Sequence, residues 1–263
     1  MMANDGQGAP RVLVTGAGGG LGRHLALDFA RRGCRIAIAD LNAAGVEESL
    51  GLCRKLGAEG ISVVGDLTQA GAPDAAVSAA VEAWSGLDVL VNNAAYGGIE
   101  AFLDMTADLW DRTLAINVKA LALLTAAAGR VMKRQGAGGI VNITSPASRM
   151  ALPNYTAYAA SKAAVDSITR AAAVALAPFG VTVNSVAPGM MDTEMQRSTE
   201  EALARIEGRD DVEAFLAERT RRVPIGRRAE IGEVAAAVIW LSLDAPAYIT
   251  AERLNASGGL DRD

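Results

Sequence analysis

Seven short, apolar, β-branched runs alternate along the chain with longer Ala/Leu/Glu-rich segments whose apolar positions recur at helical spacing. The runs cover Arg11–Thr15, Arg35–Asp40, Gly60–Val64, Val89–Asn92, 139–144, 181–186 and Arg253–Ala256. Segments of helical length lie between them, at 20–32, 43–56, 73–84, 107–133, 156–177 and 230–243. Alternation of this kind predicts βαβ units on a parallel sheet. Runs that are apolar throughout predict a sheet covered by helices on both faces. The expected fold class is therefore α/β: a single-domain, doubly wound (Rossmann-type) parallel sheet over residues 1–263, without linker or repeat. One stretch breaks the rhythm. Residues 190–222 are polar and charged, with short helical patterns at 199–206 and 211–220. Following the C-terminal end of a strand, they read as a helical lid over a substrate cleft rather than a solvated excursion.

Composition narrows the function. A chain of 263 residues, 51% hydrophobic and 21% charged, can bury a large core without a staple. A net charge of −5 with no basic stripe argues against nucleic acid and anionic membranes as partners. No apolar run reads as approaching the roughly 18 residues of a membrane span. Residues 1–10 are polar and Gly-rich, without the apolar core of a signal peptide, and read as a flexible N-terminus. A cytoplasmic location is expected. Cys34 and Cys53 read as reduced, packed thiols. His24 is the only histidine, which excludes a His-based triad or a multi-His metal site; no metal is expected.

The first run leads directly into Thr15-Gly16-Ala17-Gly18-Gly19-Gly20-Leu21-Gly22 and then a helix. Glycines let the backbone approach a pyrophosphate, and a helix N-terminus offers free N–H groups and partial positive charge. Asp40 ends the second run, twenty residues beyond Gly20. A carboxylate there accepts from ribose hydroxyls and repels a 2′-phosphate. With Leu41 and Asn42 following instead of a base, NAD is favoured over NADP. The plainer alternative is that Asp40 caps the next helix. Asp66-Leu67 and Asn92-Asn93-Ala94-Ala95 end the third and fourth runs, as adenine and strand-end contacts or as turn chemistry.

Tyr158 and Lys162 stand at i and i+4 of one helical pattern. A phenol ordinarily titrates near 10, a close ammonium favours its phenolate, and one such cation plus the nicotinamide charge can make a base working at about pH 7. Ser145 follows the fifth run, at the crevice end of an open sheet, and can polarise a substrate oxygen. Asn117 interrupts an apolar helix, an unfavourable place for its amide.

In this order, these features resemble the classical short-chain dehydrogenase/reductase family. The resemblance rests on Thr15-Gly16 with Gly20 and Gly22, Asp66, Asn92-Asn93-Ala94, Asn117, Ser145, Tyr158 with Lys162, and Pro188-Gly189 with Thr193. It implies a catalytic tetrad of Asn117, Ser145, Tyr158 and Lys162: Tyr158 as general acid/base, Lys162 lowering its pKa and holding the nicotinamide ribose, Ser145 positioning the substrate oxygen, and Asn117 keeping a water. It implies NAD contacts from Gly16, Gly18, Gly19, Gly20, Leu21 and Gly22, from Asp40, Leu41, Asp66 and Leu67, and from Asn93, Ala94 and Ala95. Pro188, Gly189, Met191 and Thr193 would complete them around the carboxamide, beside Tyr158 and Lys162. Ser145, Ala147, Tyr155, Tyr158 and Met190 would meet the substrate. It further implies a homotetramer through the two long helices. Ala95 and Ala251 stand where the family usually has Gly, and Pro146 fixes the turn after Ser145.

The expected activity is hydride transfer between NAD(H) and a secondary alcohol or ketone, with a polyol, sugar or vicinal diol as substrate by analogy of lid and Asp40. The alternatives are a non-catalytic dinucleotide sensor and a 3-oxoacyl-thioester reductase docking a carrier on Arg219, Arg221, Arg222, Arg227 and Arg228.

Overall fold

The structure, a computed structural model, describes residues 8–260. Residues 1–7 of the expected N-terminal segment lie outside that range. Seven parallel strands form one sheet: β1 Arg11–Thr15, β2 Arg35–Asp40, β3 Gly60–Val64, β4 Val89–Asn92, β5 Gly138–Ile143, β6 Val181–Pro188 and β7 Arg253–Ala256. Their spatial order is β3-β2-β1-β4-β5-β6-β7. The order reverses between β1 and β4, so the loops leaving those two strands diverge and open a crevice at the sheet's C-terminal edge.

The helices are α1 Gly20–Arg31, α2 Ala43–Lys55, α3 Ala72–Trp84, α4 Ala107–Leu114, α5 Leu121–Gln135, α6 Thr156–Leu176, α7 Glu194–Ile206, α8 Val212–Arg221 and α9 Ile231–Ile239. Each sheet face carries its own core. Val12, Val14, Ile36 and Ile38 pack with Leu25, Phe29, Leu50 and Val238 on one side. Leu13, Leu90 and Ile140 pack with Ala80, Leu124, Met132 and Ala173 on the other. Burial on both faces is why the strands lack period-two polarity.

Two expectations need correction. The helical run expected at 107–133 is not uniform. A π-helical turn, Ala115–Ala120, separates α4 from α5 and contains Asn117. The whole run Ala107–Gln135 also contains an 18-residue window of mean hydropathy 1.4, long and apolar enough by length and composition to cross a membrane. Half of that window is buried, and Leu121, Leu124, Ala127, Ala128 and Met132 face inward, the pattern of a core helix. Segment 190–222 forms α7 and α8. α7 begins five residues earlier than the pattern at 199–206 because the Thr193 hydroxyl caps it, accepting from Gln196 N.

Ala251 adopts φ +64, the left-handed region. Its N–H donates to Val183 O at 2.9 Å, fixing this conformation beside β6. An L-residue pays about 1–2 kcal/mol there, against about 0.4–1 kcal/mol of extra chain entropy that glycine brings to the unfolded state. Ala251→Gly should therefore raise stability by about 0.5–1 kcal/mol. The check is a higher urea midpoint at unchanged m; an equal or lower midpoint contradicts the strain.

Candidate active site

The C-terminal ends of β1 and β4 are stapled together. Thr15 Oγ1 accepts from Asn93 N and Ala94 N, both at 3.1 Å, and Asn93 Nδ2 donates to Thr15 O and Gly16 O at 2.9 Å. Gly16 lies at φ +64, and a Cβ there would come within 2.7 Å of the Ala94 backbone. Glycine is required for the crossing. Beyond it, Gly19 and Gly20 face open space, and Gly19 is the N-cap of α1 with no side chain capping the helix. Bare backbone at an uncapped helix start is chemistry suited to a pyrophosphate.

Asp40 is not the cap of α2. That role falls to Asn42, whose Oδ1 accepts from Gly45 N. The Asp40 carboxylate instead accepts from Gly18 N and Asn42 N, both at 2.9 Å, which ties the Gly-rich turn to the end of β2. Asp66 accepts from Thr68 N, Thr68 Oγ1 and Gln69 Nε2. These hydrogen bonds, Thr68's first, hold its pKa below the usual carboxylate value. The expected adenine contact is thus a carboxylate already engaged in its own turn.

The chemical end is built on β5 and α6. Ser145 leaves β5 and caps a short 3₁₀ turn, Pro146–Ser148, its Oγ accepting from Ala147 N. Lys162 is 2% exposed; its Nζ donates to Ile143 O at 2.8 Å and lies 5.6 Å from the Tyr158 ring centre. Burial lowers its pKa to about 8, opposed by the nearby Asp166 charge. Burial raises the Tyr158 pKa, opposed by a hydrogen bond from the Ser145 side. With the chain's own groups alone the phenol is thus held above its ordinary value; the expected shift towards neutrality counts the nicotinamide charge together with Lys162.

A single cavity of about 830 Å³ is lined by the expected cofactor residues, from Gly16 through Asp40, Leu41, Leu67, Ala95 and Gly189 to Met191 and Thr193. Ser145, Ala147, Tyr155, Tyr158, Lys162 and Met190 line it too. Asn117 is the exception: it lies behind the wall, 1% exposed. Its Oδ1 accepts from Tyr96 N at 2.7 Å, and its Nδ2 donates to Tyr96 O and Ser161 Oγ at 3.0 Å. Ser161 Oγ in turn donates to Tyr158 O. The π turn thus uses Asn117 to join the β4 loop to the helix carrying Tyr158.

Sequence reading missed Arg112, Met150, Leu152, Glu194, Thr199, Arg219 and Arg222 in the lining. The Tyr155 hydroxyl is buried, and Tyr155 packs against Leu203, Ala204 and Phe215 of the α7–α8 pair. Glu200, wholly buried, pairs with Arg219 at 3.3 Å and Arg228 at 2.9 Å. Arg222 pairs with Glu218, and Arg227 with Glu233. Four of the five arginines considered for carrier docking are thus already paired with carboxylates. Cys34 and Cys53 are free and buried, and burial pushes both thiols up to about 11.

Residues 16–261 match the family model described as enoyl-(acyl carrier protein) reductase. The chain is 34% identical over 263 residues to a short-chain dehydrogenase/reductase of Armillaria gallica, covering 98% of this chain and 99% of that one. It is 35% identical over 254 residues to an L-rhamnose 1-dehydrogenase (NAD(P)(+)) of Azotobacter vinelandii, covering 95% of each. Among solved structures, an NAD+-bound xylitol dehydrogenase superposes with a TM-score of 0.92 at 33% identity, covering 96% of this chain and 99% of that one. The chain belongs to the short-chain dehydrogenase/reductase family, and it is an oxidoreductase acting on alcohol or ketone carbons.

Proposed function

We propose that this chain is an NAD-dependent dehydrogenase of sugar or polyol secondary alcohols. The observation that carries this reading is one cavity bounded at one end by Asp40 and at the other by Ser145, Tyr158 and Lys162. The rhamnose and xylitol dehydrogenases among its relatives favour the same substrate class. A bound nicotinamide dinucleotide supplies the hydride acceptor or donor. The α1 N-terminus and Gly16–Gly22 would hold its pyrophosphate, Asp40 its adenosine ribose, and Lys162 its nicotinamide ribose. Ser145 Oγ holds the carbinol oxygen, and the Tyr158 phenol exchanges that oxygen's proton. Asn117, through Tyr96 and Ser161, keeps the two walls in register. The α7–α8 pair acts as a lid that excludes water.

Exposed Leu123 on α5 and Val174 on α6 favour homo-oligomerisation through the long helices, and two free buried thiols favour a reducing, cytoplasmic setting. NADH formation across a panel of aldoses and polyols at saturating NAD tests the activity; no turnover of any member, with tight NAD binding, leaves the dinucleotide sensor. Asp40→Asn tests the cofactor reading. It keeps an oxygen for the Gly18 turn but removes the charge facing a 2′-phosphate. The NADP-over-NAD ratio of kcat/KM should rise by about tenfold or more. Wild-type preference for NADP, or an unmoved ratio in the variant, contradicts it.

A further inference from the structure

We propose that the substrate carries an oxyanion, a carboxylate or a phosphate, that is received by Arg219 at the lid side of the cavity. This rests on the oxidoreductase reading of the same cavity and names its substrate class more narrowly.

The argument is one of charge in a confined space. Arg219 lines the cavity with its side chain only 16% exposed. Its Nε is committed to Glu200, but Glu200 is shared with Arg228, so one buried carboxylate faces two guanidiniums. Arg222 lines the cavity as well, with a largely exposed side chain, and shares the half-exposed Glu218 with Arg209. Arg112 is a third lining arginine, stacked 4.1 Å over the Tyr96 ring. Opposing them are Glu194 in the lining, Glu207 near Tyr155 and Asp192 near Arg228. The buried Tyr155 hydroxyl lies at the same end, and Arg219 is the charge that acts on it most strongly, ahead of Glu200 and Glu207.

A neutral polyol leaves this positive surplus uncompensated. An oxyanion satisfies it, because the planar guanidinium presents paired N–H donors that match carboxylate and phosphate oxygens. The arrangement also gives the buried glutamate a role: Glu200 holds Arg219 by its Nε, and the terminal nitrogens make no ion pair with it.

The test compares matched substrates: a neutral sugar alcohol or aldose, the corresponding sugar acid, and the corresponding sugar phosphate, each assayed for NAD(P)H formation by the intact enzyme. The wild type should favour one anionic member over the neutral one by about 10–100-fold in kcat/KM, the size of a charge-assisted hydrogen bond. Which anion leads distinguishes carboxylate from phosphate. Arg219→Gln should erase that ratio, mainly through KM for the anion. Arg228→Gln breaks the same ion triad from outside the cavity but leaves Glu200 to Arg219 alone, so its ratio should fall only part of the way. Equal or better use of the neutral member overturns the inference while leaving the oxidoreductase reading intact. Equal collapse of the ratio in both variants also overturns it, since the lid's fold would then be responsible. No turnover of any member with either dinucleotide defeats the underlying reading instead.

Discussion

Replacing Tyr158 with phenylalanine is expected to lower kcat by about 10²–10⁴-fold, the contribution of a positioned general acid or base. Dinucleotide affinity should stay within a few-fold. The expectation follows from what else the reacting end of the cavity offers. Lys162 Nζ is engaged with Ile143 O, the chain's only histidine is on α1, and Asp40 and Asp66 stand at the nucleotide end. Ser145 can hold an oxygen but is a poor proton acceptor. The substitution removes one oxygen from a partly buried ring, so it leaves the packing of α6 essentially intact. The readout is NADH formation with the best substrate, beside dinucleotide binding by fluorescence. More than a tenth of wild-type kcat would mean that another group takes the proton. The opposed pKa directions matter too. Burial holds Tyr158 above its ordinary value and Lys162 near 8, so the Lys162 ammonium is present below about pH 8 and is lost above it. An oxidised nicotinamide held in the cavity would add its positive charge to the cationic help that Tyr158 needs in alcohol oxidation.

Much of this was legible in the chain because the relevant signals are local. β1, β2, β3, β4 and β7 coincide with their predicted runs, and β1, β2 and β4 are buried between the two helical layers. The Gly-rich turn announces itself because only glycine tolerates Gly16's backbone and its contact with Ala94. The illegible features are long-range. Asn117 reads as a misplaced helical amide, and nothing near it reveals that its partners are the Tyr96 backbone, 21 residues earlier, and Ser161, 44 residues later. Glu200 stands beside Glu201 in a polar segment and reads as solvated; its arginines come from 19 and 28 residues away. The buried ladder from Asn92 to Asn142 and on to Thr169 is equally silent, because it depends on the β4–β5 register. Carrier docking looked plausible from a run of arginines, and folding supplied the carboxylates that occupy most of them.

The Asp166–Arg253 pair carries the second large expected effect. Both side chains are 8% exposed, with Nε and Oδ2 3.4 Å apart. Arg253 also donates to the Ser145 carbonyl at 3.0 Å, and Ser148 Oγ donates to Asp166 Oδ2 at 2.7 Å. The last strand is thereby locked to the turn that presents Ser145 and to the helix one turn beyond Lys162. Arg253→Leu strands a buried carboxylate and should cost about 3–5 kcal/mol, whereas Arg253→Leu with Asp166→Leu should recover much of that loss, because the desolvation penalty goes with the charges. Urea midpoints of both singles and the double close the cycle; strictly additive losses would mean that the pair is not coupled. Asp166→Asn separates stability from chemistry. The Asp166 charge props up the Lys162 pKa against burial. Its removal should let that pKa fall below about 8, so the alkaline loss of kcat/KM begins at lower pH than in the wild type. A merely structural role for Asp166 would lower the profile without moving it.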